Sequence, residues 1–291
     1  MPVMLDRDLP AFALLESEGR HVLPKNDEKP GLRIALVNLM PTKILTETQF
    51  ARLLSFSTET VDLELVQMMT HQSQNVDCVH MERFYRPSSW LYGNKLDGVI
   101  VTGAPVELME FEQVDYWDEL ARLLDWIPGN VRSSMFVCWG AQAALHRYFG
   151  IGKNLLPKKL FGVFPHDVCI PTHPIVNDLE SGFAVPHSRY TENSMSDILS
   201  NTDLEVLSKS DRAGALLYWA KKWRMFFISG HPEYDTDTLK REYERDIRKD
   251  LAIALPENYF ENDTLEGVTK NTWRQAGRTI YSNWLASFVS L

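Results

Sequence analysis

The chain has little cysteine. Three occur among 291 residues: Cys78, Cys138 and Cys169, odd in number and far apart. None sits in a Cys-x-x-Cys pair, so neither structural zinc nor a disulfide scaffold is supported. No run of about 18 apolar residues occurs, which argues against a membrane span. The first twenty residues interleave Asp6, Arg7, Asp8, Glu16 and Glu18 with apolar neighbours, so no secretory h-region can be drawn. Basic charge is also scarce. Thirty Lys and Arg face 39 Asp and Glu, a net charge of −9. Without a basic run, nucleic acid and anionic membrane are poor partners. No glycine-rich phosphate loop is present, and the histidines show no metal-ligand spacing. The expectation is a reduced, cytoplasmic protein that acts on small molecules, with no metal and no permanently bound cofactor.

What is present is an ordinary globular composition, 44% hydrophobic and 24% charged, long enough for one sizeable α/β core. Residues 1–30 carry four prolines and read as an extended N-terminal arm on a single domain spanning 1–291. Leu32–Asn38, Val61–Val66, Leu96–Thr102 and Ser134–Cys138 read as buried strands. Thr46-Glu-Thr-Gln49 resembles a capping box at a helix start. Residues 115–127 suit a helix with an acidic start, and Gly140–Phe149 a helix that begins abruptly. Strand and helix thus alternate through residue 150, the signature of a doubly wound, mostly parallel sheet. Four further strands are expected at Lys159–Phe164, Leu204–Leu207, Ala213–Trp219 and Met225–Ser229. Helices at Thr238–Leu255 and Thr269–Val289 complete the chain.

Phe136-Val-Cys138-Trp-Gly140-Ala-Gln142 runs a strand into a cysteine, with a small residue two places on opening a helix. That is a nucleophile elbow, which exposes a side chain above the carboxyl end of a sheet. The helix dipole favours thiolate there, and the Trp139 N–H can face an oxyanion. A cysteine on a core strand can equally be a small buried hydrophobe. Gly230-His231-Pro-Glu233 ends a second hydrophobic strand at the same sheet edge. It offers a base and a carboxylate to fix its tautomer, and this favours a Cys138–His231–Glu233 triad. Lys43, after the first strand, can face an oxyanion or a coenzyme phosphate, or merely cap a loop. Glu107, past the third strand, can reach the same edge. Arg245 suits a substrate carboxylate, although its helix face does not settle its direction.

Cys138-Trp-Gly-Ala-Gln142 with Gly230-His-Pro-Glu233 resembles class I glutamine amidotransferases, which implies a flavodoxin-like sheet. A closer resemblance covers nearly the whole chain. Val37-Asn-Leu-Met-Pro41-x-Lys43, Val101–Pro105, Phe136–Trp139, Pro186–Tyr190, Gly230–Asp235 and Asn283–Leu285 together look like the homoserine O-acyltransferase family. The resemblance implies ping-pong acyl transfer, with Cys138 as acyl-thioester nucleophile, His231 as general base and Glu233 as its support. It also implies Arg245 on the amino-acid carboxylate, Lys159 and Ser188 at substrate-binding positions, Lys43 beside the oxyanion, and a homodimer. In this family glutamate at position 107 goes with acetyl transfer and glycine with succinyl transfer. A carboxylate there would repel a succinyl carboxylate, so acetyl-CoA is the expected donor and L-homoserine the acceptor. Segment Thr70–His80 departs from the family pattern at Gln74, Val76 and Val79. L-Serine, one methylene shorter, is therefore the rival acceptor. A glutamine amidohydrolase and a non-enzymatic scaffold are the more distant alternatives.

Overall fold

The computed structural model describes residues 2–25, 31–70 and 78–290. Twelve strands form one sheet: β1 Val3–Leu5, β2 Val22–Pro24, β3 Leu32–Val37, β4 Val61–Gln67, β5 Tyr85–Pro87, β6 Gly98–Val101, β7 Ser133–Val137, β8 Asn154–Val168, β9 Phe183–Glu192, β10 Glu205–Ser210, β11 Gly214–Ala220 and β12 Met225–Ile228. Their order is β2-β1-β4-β3-β6-β7-β12-β11-β10-β8-β9, with β5 beside β4. Every pairing from β2 to β12 is parallel, and those from β12 to β9 are antiparallel.

The central strands are buried on both faces, which is why they read as near-continuous aliphatic runs. Alternate residues sort to opposite sides. Ile34, Leu36, Ile100, Met135, Phe226 and Ile228 join one core. Ala35, Val37, Val99, Val101, Phe136 and Phe227 join the other. Helices α1 Pro10–Ser17, α2 Lys43–Leu54 and α8 Arg274–Trp284 cover the first face. Helices α4 Trp117–Asn130 and α5 Trp139–Phe149 cover the second. Between them in the chain lie α3 Cys78–Phe84, α6 Met195–Ser200 and α7 Thr238–Arg248. Among the described residues, no helix is long and apolar enough to cross a membrane.

Several expectations need correction. Residues 3–24 are no extended arm. They fold as β1-α1-β2 and lengthen the parallel sheet at its edge. Helix α2 begins at Lys43, so Thr46–Gln49 lies inside it rather than capping it. Helix α7 stops at Arg248, short of Leu255. The last helix starts at Arg274 and passes into a π turn, Leu285–Val289. Strand β9 was not expected at all. The motif residues Asn283 and Trp284 prove structural. Asn283 donates to the Ile175 and Asn177 carbonyls, and Trp284 Nε1 donates to Ser133 Oγ at 2.8 Å.

Candidate active site

Strand β7 ends at Val137, and Cys138 turns the chain into α5 at φ 51°, ψ −116°. A non-glycine residue holds such angles only under constraint, at a cost of roughly 1–3 kcal/mol. The constraints are visible. The Cys138 N–H donates to the Ile228 carbonyl at 2.7 Å, and its carbonyl accepts from Gln142 N. Gly140 lets the first turn of α5 press against β6, since a Cβ there would lie 2.5 Å from the Thr102 oxygen. The turn leaves the thiol buried, at a helix N-terminus whose first N–H groups have no helical acceptor. Trp139 supplies the first of these. Its indole packs against Phe111 and Tyr116. Gly103 lies beside the thiol, its Cβ position 3.2 Å from Cys138 Cβ and 3.6 Å from His231 Cε1.

His231 hydrogen-bonds to Cys138 on one side and through Nδ1 to Glu233 Oε1 at 2.7 Å on the other. Its ring stacks on Tyr234, centroids 4.2 Å apart. Burial opposes the imidazolium. The charges of Cys138 and Glu233, with their hydrogen bonds, outweigh it and hold His231 well above the usual imidazole value. The turn carrying both residues is fastened from several elements. His231 N donates to the Pro186 carbonyl of β9, and Trp273 Nε1 donates to the Tyr234 carbonyl. Arg52 of α2 pairs with Asp235 and Glu18. Gly277 of α8 lies so close that a Cβ would sit 2.5 Å from the Pro232 oxygen.

A polar cluster joins β8, β9 and α7 in front of His231. Lys159 Nζ lies 2.9 Å from Asp246 and 4.0 Å from Glu242. Ser188 Oγ and the Tyr234 hydroxyl both donate to Glu242. Glu107 accepts from the Tyr190 N–H at 3.0 Å. Burial raises the Glu107 carboxyl, while the Tyr190 N–H, Lys159 and His231 pull it back. Arg245 is held by Asp246 at 2.7 Å, yet its side chain stays 45% exposed, with donors left for a carboxylate. Arg245, Lys159, Ser188 and Glu107 are thus brought together. Glu242, at their centre, was missed by the sequence reading. Its signal was weak: one glutamate among the many charges of α7.

Lys43 opens α2 next to the end of β3. Its ammonium donates to the Asn38 carbonyl and lies 6.0 Å from the Tyr85 ring centroid, with no hydrogen bond to Cys138 among the described residues. Burial depresses it to about 8, against a partial rescue by Glu47. Glu47 is buried among Tyr85 and His80, and burial raises its carboxyl despite both partners. The departures at Gln74 and Val76 lie outside the described residues.

A half-parallel sheet with a strained cysteine between strand and helix, and His-Pro-Glu on the neighbouring strand end, defines a class I glutamine amidotransferase-like domain. Solved structures agree on the fold. A glutamine amidotransferase from Thermotoga maritima matches with TM-score 0.54 at 10% identity, over 89% of this chain and 98% of that one. A glutamine amido transferase from Methylobacillus flagellatus gives 0.52 at 11% identity, over 88% and 94%. The sequence narrows the class further. The profile of the homoserine O-succinyltransferase family matches residues 2–290, and the chain belongs to that family of acyltransferases. Proteins named homoserine O-acetyltransferase from Acetivibrio thermocellus and Geobacillus kaustophilus are each 42% identical over 99% of this chain, and 96% and 97% of their own lengths. One from Petrotoga mobilis is 41% identical over 99% of this chain and 95% of its own.

Proposed function

We propose that this protein transfers an acetyl group from acetyl-CoA to the hydroxyl of L-homoserine, through a thioester on Cys138. The observation that carries the reading is the buried Cys138–His231–Glu233 line at the elbow. Cys138, as thiolate beside the His231 imidazolium, attacks the thioester carbonyl. The Trp139 N–H, at the positive end of α5, holds the tetrahedral oxyanion. Coenzyme A leaves as thiolate, the acetyl group stays on sulfur, and the His231 imidazolium, no longer beside a thiolate, releases its proton to solvent. The acceptor hydroxyl then passes its proton to His231 and attacks the acyl carbon, while Glu233 steadies the imidazolium. Lys43 supports this site through the Asn38 loop.

The polar cluster suits an amino-acid acceptor. Arg245 and Lys159 complement its carboxylate, and Glu242, with Ser188, complements its ammonium. Glu107 decides the donor. Its carboxyl sits in the same cluster as His231, where a succinyl chain would bring a second carboxylate. The relatives named acetyltransferases support that choice over the donor in the family's name. All three cysteines are free thiols, which suits a reducing cytoplasm, and we assign the working form as a homodimer.

The test measures free-thiol release from acetyl-CoA and succinyl-CoA, each with L-homoserine and L-serine. Release with acetyl-CoA and homoserine, an acetylated protein mass without acceptor, and loss of both in Cys138→Ala are the expected results. A preference for serine moves the acceptor, a preference for succinyl-CoA overturns the role of Glu107, and silence in all four sinks acyl transfer.

A further inference from the structure

Strand β9 presents polar side chains on both its faces. Ser188 and Tyr190 turn towards α7 and Lys159. His187, Arg189 and Thr191, the alternate residues, are buried on the other side. There Arg189 donates to the Thr191 and Ala213 carbonyls at 2.8 and 2.7 Å, and Thr191 Oγ1 donates to Gln142 at 3.0 Å. This second face borders a cavity of about 110 Å³ whose walls include Cys138, Gln142, Arg189, Ala215, Tyr218 and Ser229. Neither His231 nor any of Lys159, Glu242 and Arg245 lines it. Cys138 therefore borders this cavity on one side and meets His231 on another, while the base and the amino-acid groups lie outside the cavity's walls.

That asymmetry matches a difference between the two substrates of the reaction proposed above, on which this inference rests. An acceptor hydroxyl must give up its proton to a base, so it has to arrive on the His231 side. A thiol has an ordinary pKa of about 8.5 and departs as thiolate without an acid. Its sulfur needs access to Cys138 but not to His231. We propose that the cavity binds the thiol end of the donor's pantetheine arm, so that coenzyme and acceptor reach Cys138 from opposite faces of β9. In acylation the Cys138 sulfur bonds to the acetyl carbon and the donor's carbon–sulfur bond breaks. The electron pair leaves on the coenzyme sulfur, inside the cavity. The planar thioester that remains is open to the acceptor from the other face.

The walls suit an arm of amides and methylenes. Gln142 supplies an amide. Tyr218 and Ser229 share a 2.9 Å hydrogen bond and offer hydroxyls, while Ala215 and Met195 are apolar. Arg189 is engaged by two carbonyls and lies 3.6 Å from Glu192. It serves as a fixed wall rather than a free cation.

Two variants test the assignment. Ala215→Leu fills the cavity from β11, and Met195→Trp narrows it from the half-buried start of α6, outside the sheet. In a ping-pong reaction kcat/KM for each substrate reports its own half-reaction. The expected result is a fall of at least about tenfold in kcat/KM for acetyl-CoA with that for homoserine within about twofold of wild type. The Met195→Trp protein, with wild-type melting temperature, decides the matter should Ala215→Leu fail to fold. Equal loss in both constants, loss for homoserine alone, or no change overturns the assignment. A wild-type enzyme that transfers nothing from acetyl-CoA to homoserine overturns the function instead, a result visible before either variant is made.

Discussion

His231 and Glu233 share a 2.7 Å hydrogen bond across the one residue between them, Pro232. The proline restricts the turn, and the carboxylate fixes Nδ1 as the protonated nitrogen, leaving Nε2 for Cys138. The imidazole is raised against burial first by the Cys138 charge and then by Glu233.

On the proposed mechanism, acylation removes that Cys138 charge. Burial then weighs more heavily, the His231 pKa falls, and the ring becomes the neutral base that the acceptor requires. A base with a lowered pKa is active above it and lost below it. So kcat/KM for homoserine should decline as pH falls through this value, while kcat/KM for acetyl-CoA persists further into acid. Superimposable pH profiles of the two constants would contradict the mechanism. Glu233→Gln, which misplaces the tautomer, should lower kcat by about 10²–10⁴-fold.

Glu107→Gly removes a carboxyl from the acceptor side and leaves space. The ratio of succinyl-CoA to acetyl-CoA kcat/KM should rise by about 10–100-fold, corresponding to roughly 1–3 kcal/mol of relieved repulsion and crowding. Donor competition with the purified variant reads this directly, and an unchanged ratio would move the donor gate elsewhere.

Lys43 is held at about 8 in the folded protein, against an ordinary 10.5. Between these values the unfolded chain binds the extra proton. Stability therefore rises with pH across this window and is smaller below it, by roughly 3 kcal/mol in total. Lys43→Met should flatten that rise and unfold at higher denaturant than wild type near pH 7. Urea melts of both proteins at a series of pH values check the sign.

The Cβ position of Gly277 lies 2.5 Å from the Pro232 carbonyl oxygen and 3.3 Å from Leu53. Gly277→Ala should push α8 off the His-Pro-Glu turn. A stability loss of about 1–3 kcal/mol is expected, with kcat falling more than KM changes, since the displaced turn carries the proposed base. A wild-type kcat would show that the turn keeps its place without α8.

The parallel half of the sheet was legible because β3, β4, β6 and β7 are buried on both faces and their aliphatic runs say so. The elbow was legible because a strand, a cysteine and a glycine two residues later leave few geometries. Strand β9 was not. His187, Arg189 and Thr191 are polar yet buried, their hydrogen bonds satisfied by one another and by carbonyls that only the fold brings near. The first 24 residues hid two strands, each only three residues long, too short for a period to show. Glu242 and Asp246 carry little signal in the sequence, because their partners Lys159, Ser188 and Tyr234 lie elsewhere in the chain or on another element. Lys43 proves to open α2, and the contacts it makes there depend on Asn38 and Tyr85, which the sequence does not bring near it.

The positive φ of Cys138 puts folding and chemistry in opposition. Glycine accepts φ 51°, ψ −116° far more readily than any residue with a Cβ. Cys138→Gly should therefore melt at or above the wild-type temperature although it deletes a buried side chain, and should have no transferase activity. On the proposed mechanism the cysteine is a trade-off at a single position: a residue the backbone would discard for stability, kept for the acyl group its sulfur would carry.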